Sequence, residues 1–214
     1  MVSVAAQPPP RPIETVLDVG EKLFLVGLFV LMAARMYRAV GLGATWVNYL
    51  QLAAEGVAVA LILLRRPASE VSSKPMEWGI AFGATAAPLL LRAAPHTEPL
   101  LQAAVPALLM MFGLWLQISA KLSLGRAYGV APANRGLATK GLYRMVRHPI
   151  YLAYFIGQVG FLLLNPTLWN LVVLVIAWSL QVVRIRAEEQ LLAQDPAHAD
   201  FRAKVRFRLV PWLW

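Results

Sequence analysis

The feature that most constrains this chain is a series of apolar runs, each close to the length that a helix needs to cross a bilayer. A hydrocarbon core about 30 Å thick requires roughly 20 apolar residues at a helical rise of about 1.5 Å per residue. The runs cover about 23–40, 46–64, 78–91, 100–120 and 150–183. We therefore predict an all-α, polytopic membrane helical bundle with about five to six transmembrane helices.

The last run is too long for one ordinary span and has Asn165-Pro166 near its middle. This pair favours a turn, so the run is predicted to be a C-terminal helical hairpin of about 150–164 and 167–184. With the N-terminus cytoplasmic and six crossings, 17 of the Lys and Arg residues lie on the cytoplasmic side and 3 lie outside. This asymmetry follows the positive-inside rule and predicts that both termini are cytoplasmic.

Composition agrees with a membrane protein and excludes several kinds of site. Charged residues make up 14% of the chain, against about 25% in soluble domains. The net charge is +9, but the basic residues flank apolar runs, which favours anionic lipid headgroups over nucleic acid as partners. Cysteine is absent, and the three histidines lack metal-ligand spacing, so no metal centre is predicted. His96 and His198 are predicted to be solvated.

The chain divides into three parts by composition. Residues 1–19, with the stiff sequence QPPPRP, predict a disordered N-terminal lead, and residues 20–120 predict a four-helix membrane scaffold. Residues 121–214 contain a polar loop, the hairpin and a cytoplasmic tail. The loop at 121–149 cannot lie in lipid, because its charges and turns would be unsatisfied there. Gly79-x-x-x-Gly83 could allow close helix packing, although chance explains it equally well.

A hairpin brings its two ends together, so the polar segment that enters it should meet the one that leaves it. Pro149 suits a first helical turn, where backbone N–H groups and the helix dipole favour an anion. Cationic and anionic ends together could hold a zwitterion, which predicts a cytoplasmic cofactor pocket. The side chains expected to meet there are Arg147, His148, Tyr151, Arg184, Glu188 and Glu189. Alternatively, the first two are interfacial anchors, and the two glutamates are solvated or ion-paired.

Two segments of the sequence resemble a known family. They are Leu124–Val130 (LGRAYGV) and Thr139–Tyr151 (TKGLYRMVRHPIY), which precede the Glu188-Glu189 pair. Together with the tail Arg208-Leu209-Val210-Pro211, they are similar to the isoprenylcysteine carboxyl methyltransferases, a family related to membrane phospholipid methyltransferases. The resemblance covers about residues 120–211. It departs from the family pattern at three positions, Ala153, Phe201 and Lys204.

The resemblance implies an integral membrane methyltransferase that uses S-adenosylmethionine and takes a lipophilic acceptor from the bilayer. Carboxylate O-methylation of a prenylcysteine-like substrate is the favoured reaction. Arg184 would then orient the carboxylate, whereas for an amine acceptor Glu189 would be the base. The resemblance assigns to the cofactor site Arg135, Gly136, Leu137, Ala138, Tyr143, Arg147, His148, Pro149, Ile150, Tyr151 and Glu188. The absence of a soluble-type G-x-G-x-x-G motif agrees with a non-Rossmann methyltransferase.

Two alternatives stay open at the level of sequence. Membrane reductases of the sterol type share a similar R-H-x-x-Y hairpin but bind NADPH. Alternatively, the chain is a non-catalytic membrane accessory protein that retains the helices around an inactive site. Cofactor binding separates both alternatives from a methyltransferase.

Overall fold

The computed structural model describes residues 12–39, 46–66, 68, 70–72 and 74–210, and most of them are helical. The seven α-helices are α1 Pro12–Ala39, α2 Trp46–Leu63, α3 Pro75–Ala86, α4 Ala104–Leu124, α5 Pro149–Leu164, α6 Leu168–Leu192 and α7 Pro196–Lys204. Short 3-10 turns occupy Ala87–Leu90, Gly125–Ala127 and Gly141–Arg144. A two-residue antiparallel ladder joins β1 Glu70–Val71 to β2 Ala133–Asn134. The predicted helical class is confirmed, apart from this short ladder.

The predicted hairpin is present, but its two helices pack mainly on other helices. α5 lies against α4, and α6 lies against α3, whereas α5 and α6 make few contacts with each other. Glycines allow the close approach of α4 and α5: a Cβ at Gly113 would lie 2.6 Å from the backbone nitrogen of Gly157, and one at Gly160 would lie 2.8 Å from the Pro106 carbonyl oxygen. A Cβ at Gly79 would meet nothing within 4 Å, so Gly79 does not mark a close helix contact.

Two boundaries differ from the sequence prediction. The disordered lead was predicted to reach residue 19, but α1 begins at Pro12, so this prediction is wrong for 12–19, while residues 1–11 lie outside the described residues. Proline suits a first helical position, where its missing N–H would have no partner in the helix. The third apolar run, predicted to be helical to about residue 91, leaves the α-helix at Ala86 for a 3-10 turn. Pro88 lies in that turn and supplies no backbone donor.

Two helices in the described part of the chain are long and apolar enough to cross a membrane, at Ala104–Ala127 and Leu168–Leu192. The apolar segments Gln51–Leu63 and Pro149–Leu164 are shorter. Large apolar side chains are exposed along α4 and α6, including Leu108, Phe112, Trp115, Leu171, Val175 and Ile176. Such contiguous exposed apolar surface is typical of contact with lipid or a partner rather than water. The count of five to six spans stays a prediction.

The turn between α5 and α6 is fixed by a buried pair of asparagines. The Asn165 side-chain oxygen accepts from the Ala94 backbone N–H at 2.9 Å, and the Asn170 side-chain oxygen accepts from that of Arg92 at 3.0 Å. The Asn170 amide also donates to the Arg92 carbonyl at 2.9 Å. The segment at 92–94 therefore lies at the turn of the hairpin, at the opposite end from its polar entrance.

Candidate functional site

The two ends of the hairpin meet, as the sequence predicted. His148 Nε2 lies 3.1 Å from Glu189 Oε1, and the Tyr151 hydroxyl donates to Glu188 Oε2 at 2.9 Å. Arg184 lies with its guanidinium carbon 5.1 Å from the centre of the Tyr151 ring. The start of α5 and the last turns of α6 thus place an imidazole, a phenol, a guanidinium and two carboxylates in one region.

Glu189 is surrounded by cations. Besides His148, its carboxylate pairs with Arg147 Nη1 at 2.9 Å and with Arg208 Nε at 2.7 Å. The Glu189 side chain is 6% exposed. Three positively charged or protonatable partners stabilise the ionised carboxylate and leave it little basicity. Burial lowers the pKa of the Arg147 guanidinium, although Glu189 opposes this shift.

The C-terminal tail is hydrogen-bonded to the entrance of α5. The backbone N–H groups of Arg147 and His148 donate to the carbonyls of Phe207 and Arg208 at 3.0 and 2.9 Å. Arg147 Nη2 also donates to the Arg206 carbonyl at 3.3 Å. These two N–H groups are therefore occupied by the tail and are not available to an anion at the start of α5.

A small cavity of about 60 Å³ lies against these residues. Its lining contains seven of the residues predicted for the site: Tyr143, Arg147, His148, Ile150, Tyr151, Arg184 and Glu188. The other predicted residues do not line it: Arg135, Gly136, Leu137, Ala138, Pro149 and Glu189. A role for these six in cofactor binding or catalysis stays a prediction.

The cavity carries charge of both signs beside neutral phenols. The Nε atoms of Arg147 and Arg184 are buried and have no hydrogen-bond partner among the described residues. Glu188 supplies a carboxylate on the same wall. Burial, assisted by the nearby Glu188 carboxylate, raises the pKa of the Tyr143 hydroxyl well above its ordinary value, so this phenol stays protonated at neutral pH. The site can therefore offer unused cationic donors to a carboxylate and an anion to an ammonium.

The predicted cofactor residue Arg135 lies in a separate ionic cluster. Its Nη2 atom is 3.3 Å from Glu21 Oε2, and Arg65 Nη1 is 2.8 Å from the same oxygen. Burial lowers the pKa of Arg135, whereas Glu21 opposes this shift. Sequence reasoning did not single out Glu21, because it precedes the first apolar run and lies more than 100 positions from its partners Val130 and Ala131.

A larger cavity of about 490 Å³ lies between the helices and is lined mostly by apolar side chains. Thr85 and Tyr154 line both cavities, so the two adjoin. Arg184 Nη1 donates to the Thr85 hydroxyl at 3.3 Å across this boundary. A polar compartment and an apolar one therefore share a wall.

Glu55 and Gln117, two polar groups that sequence reasoning missed, line the larger cavity, and Lys121 pairs with Glu55. Lys121 is fully buried, and its Nζ atom lies 3.2 Å from Glu55 Oε2, while Gln117 donates to Glu55 Oε1 at 2.7 Å. Lys121 was predicted to begin the polar loop, whereas α4 continues through it to Leu124. The available signal was Glu55, an acidic residue inside an apolar run, since such residues are usually paired or functional.

His198 also differs from the sequence prediction. It was expected to be solvated, as His96 is, but α7 packs it to 3% exposure with its ring centre 5.9 Å from that of Phe201. Burial lowers the pKa of the His198 imidazole, while the Glu189 carboxylate opposes this shift. The prediction failed because a short helix that is polar on average can still bury the residues of one face, here His198 and Phe201.

Comparison with known families agrees with this geometry. The sequence model for phospholipid methyltransferases matches residues 101–195, which include α4, α5, α6 and the polar segment between α4 and α5. No curated protein matches the chain. The family points to a membrane methyltransferase. The resemblance recognised in the sequence is thereby confirmed for residues 101–195, which match the phospholipid methyltransferase model, a family related to the isoprenylcysteine methyltransferases.

Proposed function

We propose that this chain is an integral membrane methyltransferase that uses S-adenosylmethionine and methylates a lipophilic acceptor. One observation carries the proposal beyond the family match. The small cavity, with charges of both signs, adjoins the large apolar cavity through Thr85 and Tyr154. A charged cofactor and an apolar acceptor need two such compartments with a shared wall.

The chemistry of the small cavity fits the cofactor. S-adenosylmethionine supplies an electrophilic methyl group on a sulfonium, together with a carboxylate and an ammonium. Arg147 and Arg184 have buried Nε donors without partners in the described structure, which suits the carboxylate, and Glu188 suits a cation. A volume of about 60 Å³ is below the roughly 300 Å³ of small ligand sites. Entry of the whole cofactor therefore requires the walls to move apart.

The large cavity has the size and polarity of an acceptor site. Its volume of about 490 Å³ lies inside the range of about 300–1,000 Å³ for ligand pockets. A prenyl or acyl chain would pack on its apolar side chains and direct its polar end towards Arg184. For a carboxylate acceptor, we assign Arg184 to orient the nucleophile, which is already ionised and needs no base.

The residues of the chain would act by alignment and exclusion of water rather than by proton transfer. Tyr151 holds Glu188 by its hydroxyl, and its ring lies beside the Arg184 guanidinium. Glu189 lines neither cavity, so we assign it to positioning Arg147 and His148 instead of to a base. An amine acceptor would have to arrive neutral or lose its proton to another group.

Methyl transfer by the purified chain in lipid nanodiscs tests the proposal. The protein would be incubated with S-adenosylmethionine labelled in the methyl group and with a prenylcysteine carboxylate, phosphatidylethanolamine or a total lipid extract. Base-labile label in the lipid phase indicates a methyl ester, and base-stable label indicates an N-methyl product. A parallel fluorescence titration with NADPH tests the reductase alternative.

Arg184→Gln and Arg186→Gln form a matched pair for this assay. Arg184 is buried at the cavity, whereas Arg186, half a turn away, is exposed. We expect Arg184→Gln to lower kcat/KM by about tenfold to a hundredfold, as expected for a lost charge-assisted contact, and Arg186→Gln to stay close to wild type. No incorporation of label, together with no binding of S-adenosylhomocysteine by calorimetry, would refute the methyltransferase assignment.

The orientation in the membrane is part of the same proposal. We place both termini and the small cavity on the cytoplasmic side, where the cofactor is dissolved, and we place the turn at Asn165-Pro166 on the other side. The excess of Lys and Arg in the cytoplasmic segments supports this arrangement. More than two crossings are proposed, because α2 and α5 are also apolar although they are short.

A further inference from the structure

Glu21 is a fully buried carboxylate on α1, outside the segment that the family model matches. Its Oε1 atom accepts the backbone N–H groups of Val130 and Ala131, the second at 3.2 Å. Its Oε2 atom lies 2.8 Å from Arg65 Nη1 and 3.3 Å from Arg135 Nη2. One side chain thus connects α1 to the end of α2 and to two points in the polar segment after α4.

The backbone held by Glu21 is a wall of the small cavity. Tyr128, Gly129 and Val130 line the cavity. Gly129 also lies against the Arg135 guanidinium: a Cβ there would be 2.3 Å from Arg135 Nη1 and 3.3 Å from Glu21 Oε1. This strip of backbone therefore contacts the ionic cluster and also lines the cavity, so a shift of the cluster changes the shape of the cavity.

A second acid on the same helix provides a contrast. Asp18 pairs with the same Arg65, through Nε at 2.9 Å, and with Lys22 at 2.7 Å. In the described structure its side chain makes no hydrogen bond or ion pair with Val130, Ala131 or Arg135, and it is 34% exposed. The two acids share a cation, but only Glu21 reaches the cavity wall.

Stability alone is a weak reason for such a cluster. Burying several charges costs desolvation energy that their mutual attraction often only offsets, so an apolar replacement is frequently as stable. Two backbone N–H groups bound to one carboxylate do, however, set a position, since hydrogen bonds to a charged acceptor are short and directional. The contacts of Glu21 are therefore better suited to fixing a wall than to adding stability.

We propose that Glu21 is a positioning residue for methyl transfer, which holds the backbone at 128–131 where the cofactor can bind against it. This inference rests on the proposed function, because it concerns the same cavity. It makes α1 part of the cofactor site, although α1 precedes the family segment and touches the cavity only through the wall that it holds.

The test is binding of S-adenosylhomocysteine to the full chain in nanodiscs by calorimetry, with steady-state kinetics where an acceptor is known. Glu21→Gln keeps the size of the side chain and removes its charge, and Asp18→Asn is the matched control. Glu21→Asp keeps the charge for the arginines and shortens the reach to the N–H groups, so it stays informative if Glu21→Gln does not fold. Circular dichroism and thermal unfolding establish that each variant is folded.

We expect Glu21→Gln and Glu21→Asp to weaken S-adenosylhomocysteine binding by about tenfold or more, as a misplaced wall would. The KM for S-adenosylmethionine should rise more than kcat falls, and amide exchange at 128–131 should become faster. Asp18→Asn should bind within about twofold of wild type, because it leaves the wall in place.

Normal ligand binding by folded Glu21→Gln and Glu21→Asp would overturn the inference, as would equal weakening by Asp18→Asn. Both results leave the proposed function intact, because the wild-type chain binds the ligand. Failure of the wild type itself to bind S-adenosylhomocysteine would instead overturn the proposed function, and with it the role given to Glu21.

Discussion

Two neighbouring acids at the end of α6 have different surroundings. Glu188 faces the small cavity and accepts the Tyr151 hydroxyl, whereas Glu189 turns away from it towards Arg147, His148 and Arg208. The two glutamates look equivalent in the sequence, but their side chains have different surroundings because successive residues of a helix point about 100° apart. One carboxylate remains available to a ligand, and the other is consumed by ion pairs.

Substitution of the two acids should separate binding from stability. Glu188→Gln keeps an acceptor for Tyr151 but removes the charge, so we expect S-adenosylhomocysteine affinity to fall by about tenfold with little loss of stability. Glu189→Gln removes the buried carboxylate that pairs with the buried Arg147 guanidinium and should lower the free energy of unfolding by about 3 kcal/mol. Calorimetric titration and denaturant unfolding measure the two effects. Identical behaviour of the two variants would contradict the division of roles.

His198 should make stability depend on pH. Its burial lowers the pKa of the imidazole in the folded chain, whereas the unfolded chain takes up this proton near the ordinary value of about 6.5. Since the unfolded state then binds more protons, the free energy of unfolding should decrease as the pH falls below about 6.5. Unfolding midpoints at several pH values would show a shallower dependence in His198→Phe, with His96→Gln as the exposed control. An unchanged dependence in His198→Phe would refute the attribution.

At the scale of the elements, the size of the side chains at a contact decides how closely two helices approach. α5 packs on α4 where Gly113 and Gly160 leave room for backbone to approach backbone. The Gly79-x-x-x-Gly83 spacing could have reflected either close helix packing or chance. Neither glycine lies against the backbone of another helix. A Cβ at Gly83 would have a Leu180 side-chain atom at 3.6 Å, and one at Gly79 would meet nothing within 4 Å.

Alanine at two helical glycines should therefore have opposite effects. Gly113→Ala would place a methyl group within 3 Å of Gly157 and Ala153 backbone atoms, and we expect a loss of about 1–3 kcal/mol from overpacking. Gly79→Ala meets open space and should be neutral or gain up to about 1 kcal/mol from helix propensity. Thermal unfolding in one detergent compares the two variants. Equal destabilisation would show that α4 and α5 do not pack as described.

At the scale of the whole molecule, the ion pairs of Glu189 lie at one end and the asparagine turn lies at the other. The tail at Arg206–Arg208 contacts the start of α5, while the segment 92–94 contacts the turn between α5 and α6. If the helices cross a bilayer, these two ends face opposite compartments. The exposed apolar side chains of α4 and α6 then face lipid.

Single cysteines test this topology cleanly, because the natural chain has none. Lys204→Cys, in the exposed part of α7, should react with an impermeant maleimide only after the cells are opened. His96→Cys, in the exposed segment before α4, should react in intact spheroplasts. Labelling of both positions from the same side would contradict the orientation.

Local chemistry was sufficient to predict much of this protein from its sequence. The turn at Asn165-Pro166, the apolar helices and the meeting of His148 and Tyr151 with the acids of α6 follow from residue type and short spacing. A hairpin brings its own ends together whatever its neighbours do, so these residues could be placed without a structure. The family resemblance depended on the same contiguous segments.

Only the tertiary structure decided which helices pack together and which charges are paired. Glu21 with Val130, Glu55 with Lys121, and Arg208 with Glu189 join positions that are separated by helices or turns of the chain, and no local pattern specifies them. The apolar runs look alike in sequence, and any apolar face can be buried against any other. The sequence therefore does not specify which helices become neighbours. Their order around the cavities depends on close contacts such as that at Gly113, which exist only after the helices have assembled.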